Sequence, residues 1–280
     1  MEGDAPASIE RIPLTLVDES RPTPANNDYP GAPHRTLVTD VSYVPTGDAV
    51  PAPRPLVVFA TGYGGTTTNW AGLYDHWVRA GYVVAAPAFP LSQRDAPGGT
   101  TGADFDSQAG DLRFVTAQVL RLATTPGSEL HGRVVVDPDR VALAGKSFGA
   151  ITVFEAGYNP EELVPGIRAV IAMTGVATKG PQFERVGTPL LLAHGDQDAL
   201  VAIAGSQDVY HRAQPPKFFV TLFGADHLSA FHGGTSAAED VVVRATTAFL
   251  DHYVNGDADA LSRLWSTGDE PDVASIEASV

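Results

Sequence analysis

The chain has 280 residues, 44% of them hydrophobic and 18% charged, which is enough for a sizeable core. Its formal net charge is −15 and its lysines are confined to Lys146, Lys179 and Lys217, so the surface repels nucleic-acid phosphates and anionic membranes. No cysteine is present, which excludes disulfides, thiolate metal sites and a cysteine nucleophile.

No apolar run approaches the ~20 residues of a membrane span. The start, "MEGDAPASIE", lacks the basic and apolar stretches of a secretion signal. Two extended segments, 9–17 and 36–44, flank a loop at 18–35 rich in Pro, Asn and Gly. A second loop, "VPTGDAVPAPRP", leads into "LVVFA" at 56–60, a β-branched run that reads as a buried strand. A helix at 70–80 stops at Gly81, and "YVVAA" at 82–86 reads as the next strand.

Phe105, Ala109, Leu112, Val115, Val119 and Leu122 recur at spacings of three and four, the stripe of an amphipathic helix. Strands follow at 141–145, 169–173, 189–194 and 217–222, with helices at 147–156 and near 203–212. The last strong helix runs over 236–254. Ser236-x-x-Glu239 is a capping box at its start and Asn255-Gly256 ends it. Strands apolar throughout, alternating with helices, predict a mostly parallel sheet covered on both faces. No linker interrupts the alternation, so residues 1–265 read as a single α/β domain. Residues 266–280, "STGDEPDVASIEASV" from Ser266 onward, read as a weakly ordered tail.

The chemistry centres on "LAGKSFGA" at 143–150. G-x-S-x-G is a weak pattern alone. Here a strand precedes Ser147 and a helix follows it, the setting of a nucleophile elbow. Gly145 and Gly149 leave room for the neighbouring strand and helix, and the helix N-terminus favours developing negative charge. The competing reading makes Ser147 a simple helix N-cap. Lys146 occupies the motif's variable position and reads as tolerated there, with no catalytic role.

A serine nucleophile needs a base, and the base an orienting carboxylate. Around such an elbow the acid and then the base follow along the chain. "LLLAHGDQDALV" offers Asp196 or Asp198 just past a strand end, and "VTLFGADHLSAFH" offers His227 or His232 just past the next. His227, five residues after its strand, fits the order better. Both stretches lie at carboxyl ends of parallel strands, where active sites of open α/β sheets collect. Asp196, Asp226 and His194 read as turn residues. The other histidines show no metal-ligand spacing of the His-Glu-x-x-His kind. "FATGYGGTTTNW" follows the first core strand. Its glycines, Gly62 and Gly64 among them, let backbone amides approach a substrate, so the amides of Tyr63 and Phe148 are the expected oxyanion donors.

With "GYGG", "GKSFG", "HGDQD" and "GADH" in this order, residues 36–255 resemble the α/β-hydrolase superfamily. The likeness is to the branch holding platelet-activating-factor acetylhydrolase-like enzymes, chlorophyllases, dienelactone-hydrolase-like proteins and bacterial cutinases or polyester hydrolases. "DESRP" and "HRTLVTDVSYVPTG" look like the acetylhydrolase group, and the Gly-Tyr turn looks like the cutinases. The sequence departs from cutinases in carrying G-K-S-F-G rather than G-H-S-x-G, and in lacking their cysteine pairs.

The resemblance implies a hydrolase fold with a central mostly parallel sheet. It implies Asp198 as acid, from the pattern H-G-x-x-D-x-x-V, and cofactor-free hydrolysis of small or polymeric esters by Ser147, His227 and Asp198. Residues 174–188 are too few for the helical lid of lipases, which predicts an open cleft. Loop 89–105 is expected on one rim and residues 69–77 near the other. Trp70 and Phe89 either line the pocket or fill the core. The resemblance also favours a secreted setting over a cytoplasmic one, and a monomer is expected. Thioesterase, acyltransferase and non-catalytic binding roles use the same fold.

Overall fold

The computed structural model describes residues 8–45 and 52–280. The start of the chain and the middle of the loop at 44–55 lie outside the described residues. The strands are β1 Glu10–Asp18, β2 Arg35–Tyr43, β3 Arg54–Ala60, β4 Val83–Ala88, β5 Val136–Lys146, β6 Ile167–Met173, β7 Leu190–Gly195, β8 Lys217–Leu222 and β9 Ala274–Ser279. The helices are α1 Ala71–Arg79, α2 Phe105–Thr124, α3 Phe148–Tyr158, α4 Ala204–Arg212, α5 Ala237–Tyr253 and α6 Ala260–Gly268.

All nine strands form one sheet in the order β1-β2-β4-β3-β5-β6-β7-β8-β9. The block from β4 to β8 is parallel. Antiparallel strands flank it: β2 and then β1 beyond β4, and β9 beyond β8. The central strands are buried from both sides, as their continuous apolar runs require. β1 at the edge alternates instead, turning Leu14 and Leu16 inward.

Two separate cores result. Leu112, Val115 and Val119 of α2, Val153 and Phe154 of α3, and Val209 of α4 cover one face. Trp77 of α1, Val241 and Phe249 of α5, and Leu264 of α6 cover the other. Each such fully buried side chain contributes about 1.5–3 kcal/mol of transfer free energy. α5 starts with the expected capping box: Ser236 Oγ accepts from Glu239 N–H at 3.3 Å and Glu239 Oε2 accepts from Ser236 N–H at 3.2 Å. Among the described residues, no helix is long and apolar enough to cross a membrane.

The expected weakly ordered tail at 266–280 is corrected. Its first residues close α6, which the sequence reading did not anticipate, and 274–279 pair along the whole of β8. The free hydrogen-bonding edge of β8 supplies what the segment's low hydrophobicity lacks. Ala274 is buried, and Ile276 seats against Gly268, where a Cβ would lie 2.8 Å from the isoleucine side chain.

β5, β7 and β8 point the same way, so the segments leaving their carboxyl ends meet at one edge of the sheet. Ser147, Asp198 and His227 lie on those segments.

Candidate active site

Ser147 occupies the single position between β5 and α3, with φ 60° and ψ −119°. Residues other than glycine rarely adopt this backbone, at a cost of about 1–3 kcal/mol. The Ser147 amide donates to the Met173 carbonyl at 2.8 Å, and its carbonyl accepts from Ala150 at 2.9 Å. Both motif glycines are compulsory. A Cβ on Gly145 would sit 2.3 Å from the Gly149 carbonyl oxygen, and one on Gly149 would sit 2.0 Å from that of Ala60. Ser147 stands at the N-cap position of α3, yet its side chain makes no cap hydrogen bond. Its Oγ lies 2.8 Å from His227 Nε2 instead.

His227 Nδ1 lies 2.7 Å from Asp198 Oδ2. Asp198 Oδ1 accepts from the amides of Leu200 at 2.9 Å and Val201 at 2.8 Å. Burial works against the Asp198 charge, but the Val201 amide, the His227 imidazole and the Leu200 amide outweigh it and hold the carboxyl below its usual range. The ionised carboxylate therefore accepts the hydrogen bond from Nδ1–H of His227 and leaves Nε2 to face the serine. Burial is also the largest influence on His227. The hydrogen bond that Nδ1–H donates to Asp198 opposes it, Lys146 reinforces it, and the imidazole titrates below its ordinary value.

His194, at the end of β7, props the same carboxylate. Its Nε2 is 2.9 Å from the Val201 carbonyl and 3.2 Å from Asp198 Oδ2. Its Nδ1 is 2.8 Å from Ser206 Oγ, which also lies 2.8 Å from the Gly175 carbonyl, so the one hydroxyl proton serves one of these at a time. Nε2 faces two acceptors and carries the ring proton. The remaining candidates shape loops. Asp196 Oδ1 accepts from Gly224 at 2.7 Å, Asp226 Oδ1 accepts from Leu228 and Ser229 at 2.8 Å each, and His232 stacks on Trp70 at 4.8 Å.

Tyr63 follows the glycine that abuts the elbow. A Cβ on Gly62 would lie 3.0 Å from the Lys146 carbonyl oxygen and 3.3 Å from Ser147 Cβ. Gly64, at φ +68°, turns the chain back, and its amide donates to Ser92 at 2.7 Å. Among the described residues, the amides of Tyr63 and Phe148 have no partner, while those of Gly64, Gly65, Ser147 and Ala150 are engaged. The Tyr63 hydroxyl donates to the Thr100 carbonyl at 2.7 Å, and its ring meets Phe148 edge-on at 6.1 Å. The loop at 89–105 is anchored in turn. Asp104 accepts from the Leu91 amide at 3.0 Å and from buried Arg35 at 3.1 Å, and Arg35 forks onto Asp111 at 2.6 and 2.8 Å.

A cavity of about 210 Å³ opens beside Ser147 and Phe148. Its apolar walls are Tyr63, Ile151, Val176, Leu200 and Val201. Two cavities of about 440 Å³ lie elsewhere, one between α2 and α3 and one among α1, α5 and α6. Among the charged groups lining them, Glu155 is engaged by Thr178 and Asn159, and Arg263 by Asp251 and Asp257.

Trp70 and Phe89 belong to the core rather than the cavity, at 5% and 0% exposure. Residues 69–77 correspondingly enter α1 beneath the sheet; among the described residues, none of loop 89–105 lines the cavity, whose wall includes Val176, Leu200 and Val201. Of these, only Val201 stood in a motif. Lys146 is also not an incidental surface residue. It is 2% exposed, its Nζ lies 5.2 Å from the centre of the Trp70 ring and 5.8 Å from that of Phe231, and burial pulls its ammonium down to about 8 against the pull of Asp198 and Asp226. Among the described residues, no group of three or more His, Asp or Glu side chains is placed to hold a metal ion. No protein-family model and no curated protein matches the chain.

Proposed function

We propose that the protein is a serine carboxylic-ester hydrolase of the α/β-hydrolase type, working through an acyl-enzyme. The observation that carries this reading is the continuous chain Ser147 Oγ–His227–Asp198, with bonds of 2.8 and 2.7 Å and the serine on a strained elbow at the sheet's carboxyl edge. The parallel block and the residues leaving β5, β7 and β8 agree with that fold type.

In the proposed reaction, Ser147 Oγ attacks the ester carbonyl carbon while His227 Nε2 takes its proton. The amides of Tyr63 and Phe148 receive the oxyanion, each donor being worth ~3 kcal/mol in the transition state. The C–O bond then breaks, and the imidazolium protonates the departing alcohol. A water molecule then attacks the acyl carbon as His227 Nε2 takes its proton; the bond to Ser147 Oγ breaks, Oγ regains that proton from the imidazolium, and the carboxylic acid leaves. Asp198 stays ionised and holds the imidazole in one tautomer.

The small apolar cavity favours short acyl groups. Exposed Tyr63, Leu200 and Leu228 form an apolar rim that suits esters presented on larger molecules.

The test is hydrolysis of p-nitrophenyl esters from acetate to palmitate by the wild type and Ser147→Ala. Wild-type kcat/KM should be highest for the short acyl groups and fall toward palmitate. Ser147→Ala should lose about 10⁴-fold or more. Equal rates in the two proteins, or no wild-type turnover of any ester, would overturn the reading. Preferential transfer to an added alcohol would recast the enzyme as an acyltransferase.

A further inference from the structure

The residue next to the nucleophile is a cation that the fold removes from water. Lys146 ends β5, and its ammonium stands over the faces of Trp70 and Phe231 at 5.2 and 5.8 Å. Trp70 comes from the turn before α1 and Phe231 from the loop after β8, so distant parts of the chain build this aromatic box. Among the described residues, no hydrogen bond or salt bridge takes up the ammonium. Packing alone does not call for a lysine here, because an apolar chain of the same length fills such a site without burying a charge. Cation–π attraction offsets part of the desolvation but leaves the charge in place.

That charge acts on a small set of groups. Asp198, from the loop after β7, and Asp226, from the loop after β8, attract it. His227, from the same loop as Asp226, is repelled by it when protonated. His232 stacks on Trp70 at 4.8 Å, and His194 lies behind Asp198 at 3.2 Å. The central conflict is between Asp198 and Lys146. A carboxylate 2.7 Å from Nδ1 favours a second proton on the imidazole, and a doubly protonated imidazole cannot accept the serine proton.

We propose, resting on the ester-hydrolase reading, that Lys146 is a positioning charge. Held in the Trp70–Phe231 box, it keeps Nε2 of His227 unprotonated, so that the hydrogen bond with Ser147 runs from the serine to the imidazole. The sign follows from charge repulsion. Lys146⁺ disfavours the imidazolium, lowers its pKa and extends the base-competent form toward acid pH.

The test is an NMR titration of the His227 imidazole, without substrate, in wild type, Lys146→Met, Lys146→Gln and Lys146→Arg. Thermal unfolding of each protein identifies the folded variants. Met and Gln should raise the His227 midpoint by about one pH unit, a tenfold loss of neutral base on its acid side, whereas Arg should restore it. The acid limb of kcat/KM should move by the same amount in Met and Gln and return in Arg. An unchanged midpoint in a folded neutral variant overturns the proposal. Wild-type inactivity on every ester would instead overturn the hydrolase reading, and the midpoint would still decide whether the charge acts on His227.

Discussion

A side chain at position 62 has no space to occupy. The nearest atoms to a Cβ there are the Lys146 carbonyl oxygen at 3.0 Å and Ser147 Cβ at 3.3 Å, both part of the elbow. Gly62→Ala should push the oxyanion turn and the serine apart by a few tenths of an ångström. Since catalysis depends on sub-ångström placement, kcat for a short ester should fall about 10–100-fold with little change in Tm. Wild-type kcat in this variant would refute the assigned close approach. Ser147, Asp198 and His227 were readable because each sits in a short motif at a fixed place relative to a strand end. Trp70 and Phe89 were ambiguous because aromatic identity predicts burial but not whether a cavity or a helix covers the ring. The environment of Lys146 was hidden because Trp70 and Phe231 are far from it in sequence. The role of His194 beside Asp198 was closer to legible, since H-G-x-x-D already puts the two in one turn.

β9 shows why an element with little apolar content can still matter. Its six residues pair in register with all of β8, the strand whose carboxyl end leads to His227. Removing residues 269–280 should expose that edge, lower stability by about 3 kcal/mol or more and promote self-association. Urea unfolding and sedimentation would check this, and an unchanged urea midpoint would show that β9 contributes nothing. The central strands were legible because burial on both faces leaves runs such as "LVVFA" and "PLLLAH". In β9 only Ala274, Ile276 and Ala278 alternate, and two of the three are small, so the period-two signal is faint. α6 is equally terse, a nine-residue helix with Leu264 as its one fully buried large apolar side chain. α5 was bounded at its start because Ser236 and Glu239 are read locally, before any tertiary contact forms.

For the whole molecule, on the proposed ester-hydrolase reading, a net charge of −15 shapes which esters arrive at the site. An ester carrying a carboxylate should show lower kcat/KM than its neutral analogue at low ionic strength. The gap should narrow several-fold between about 10 and 200 mM salt as the field is screened. Parallel salt responses of the two substrates would remove this steering effect. The sheet also divides the interior into two layers that share few contacts. Cavities cut into opposite layers, for example at Leu112 and Leu250, draw on separate neighbours, and their free-energy effects sum. Positions 146 and 147 interrupt that independence. Lys146 sends its side chain into the layer of Trp70 and Phe231, while Ser147 opens α3, which belongs to the other. The elbow is therefore a seam, where a change of packing beneath α1 or α5 is transmitted to the residue beside Ser147.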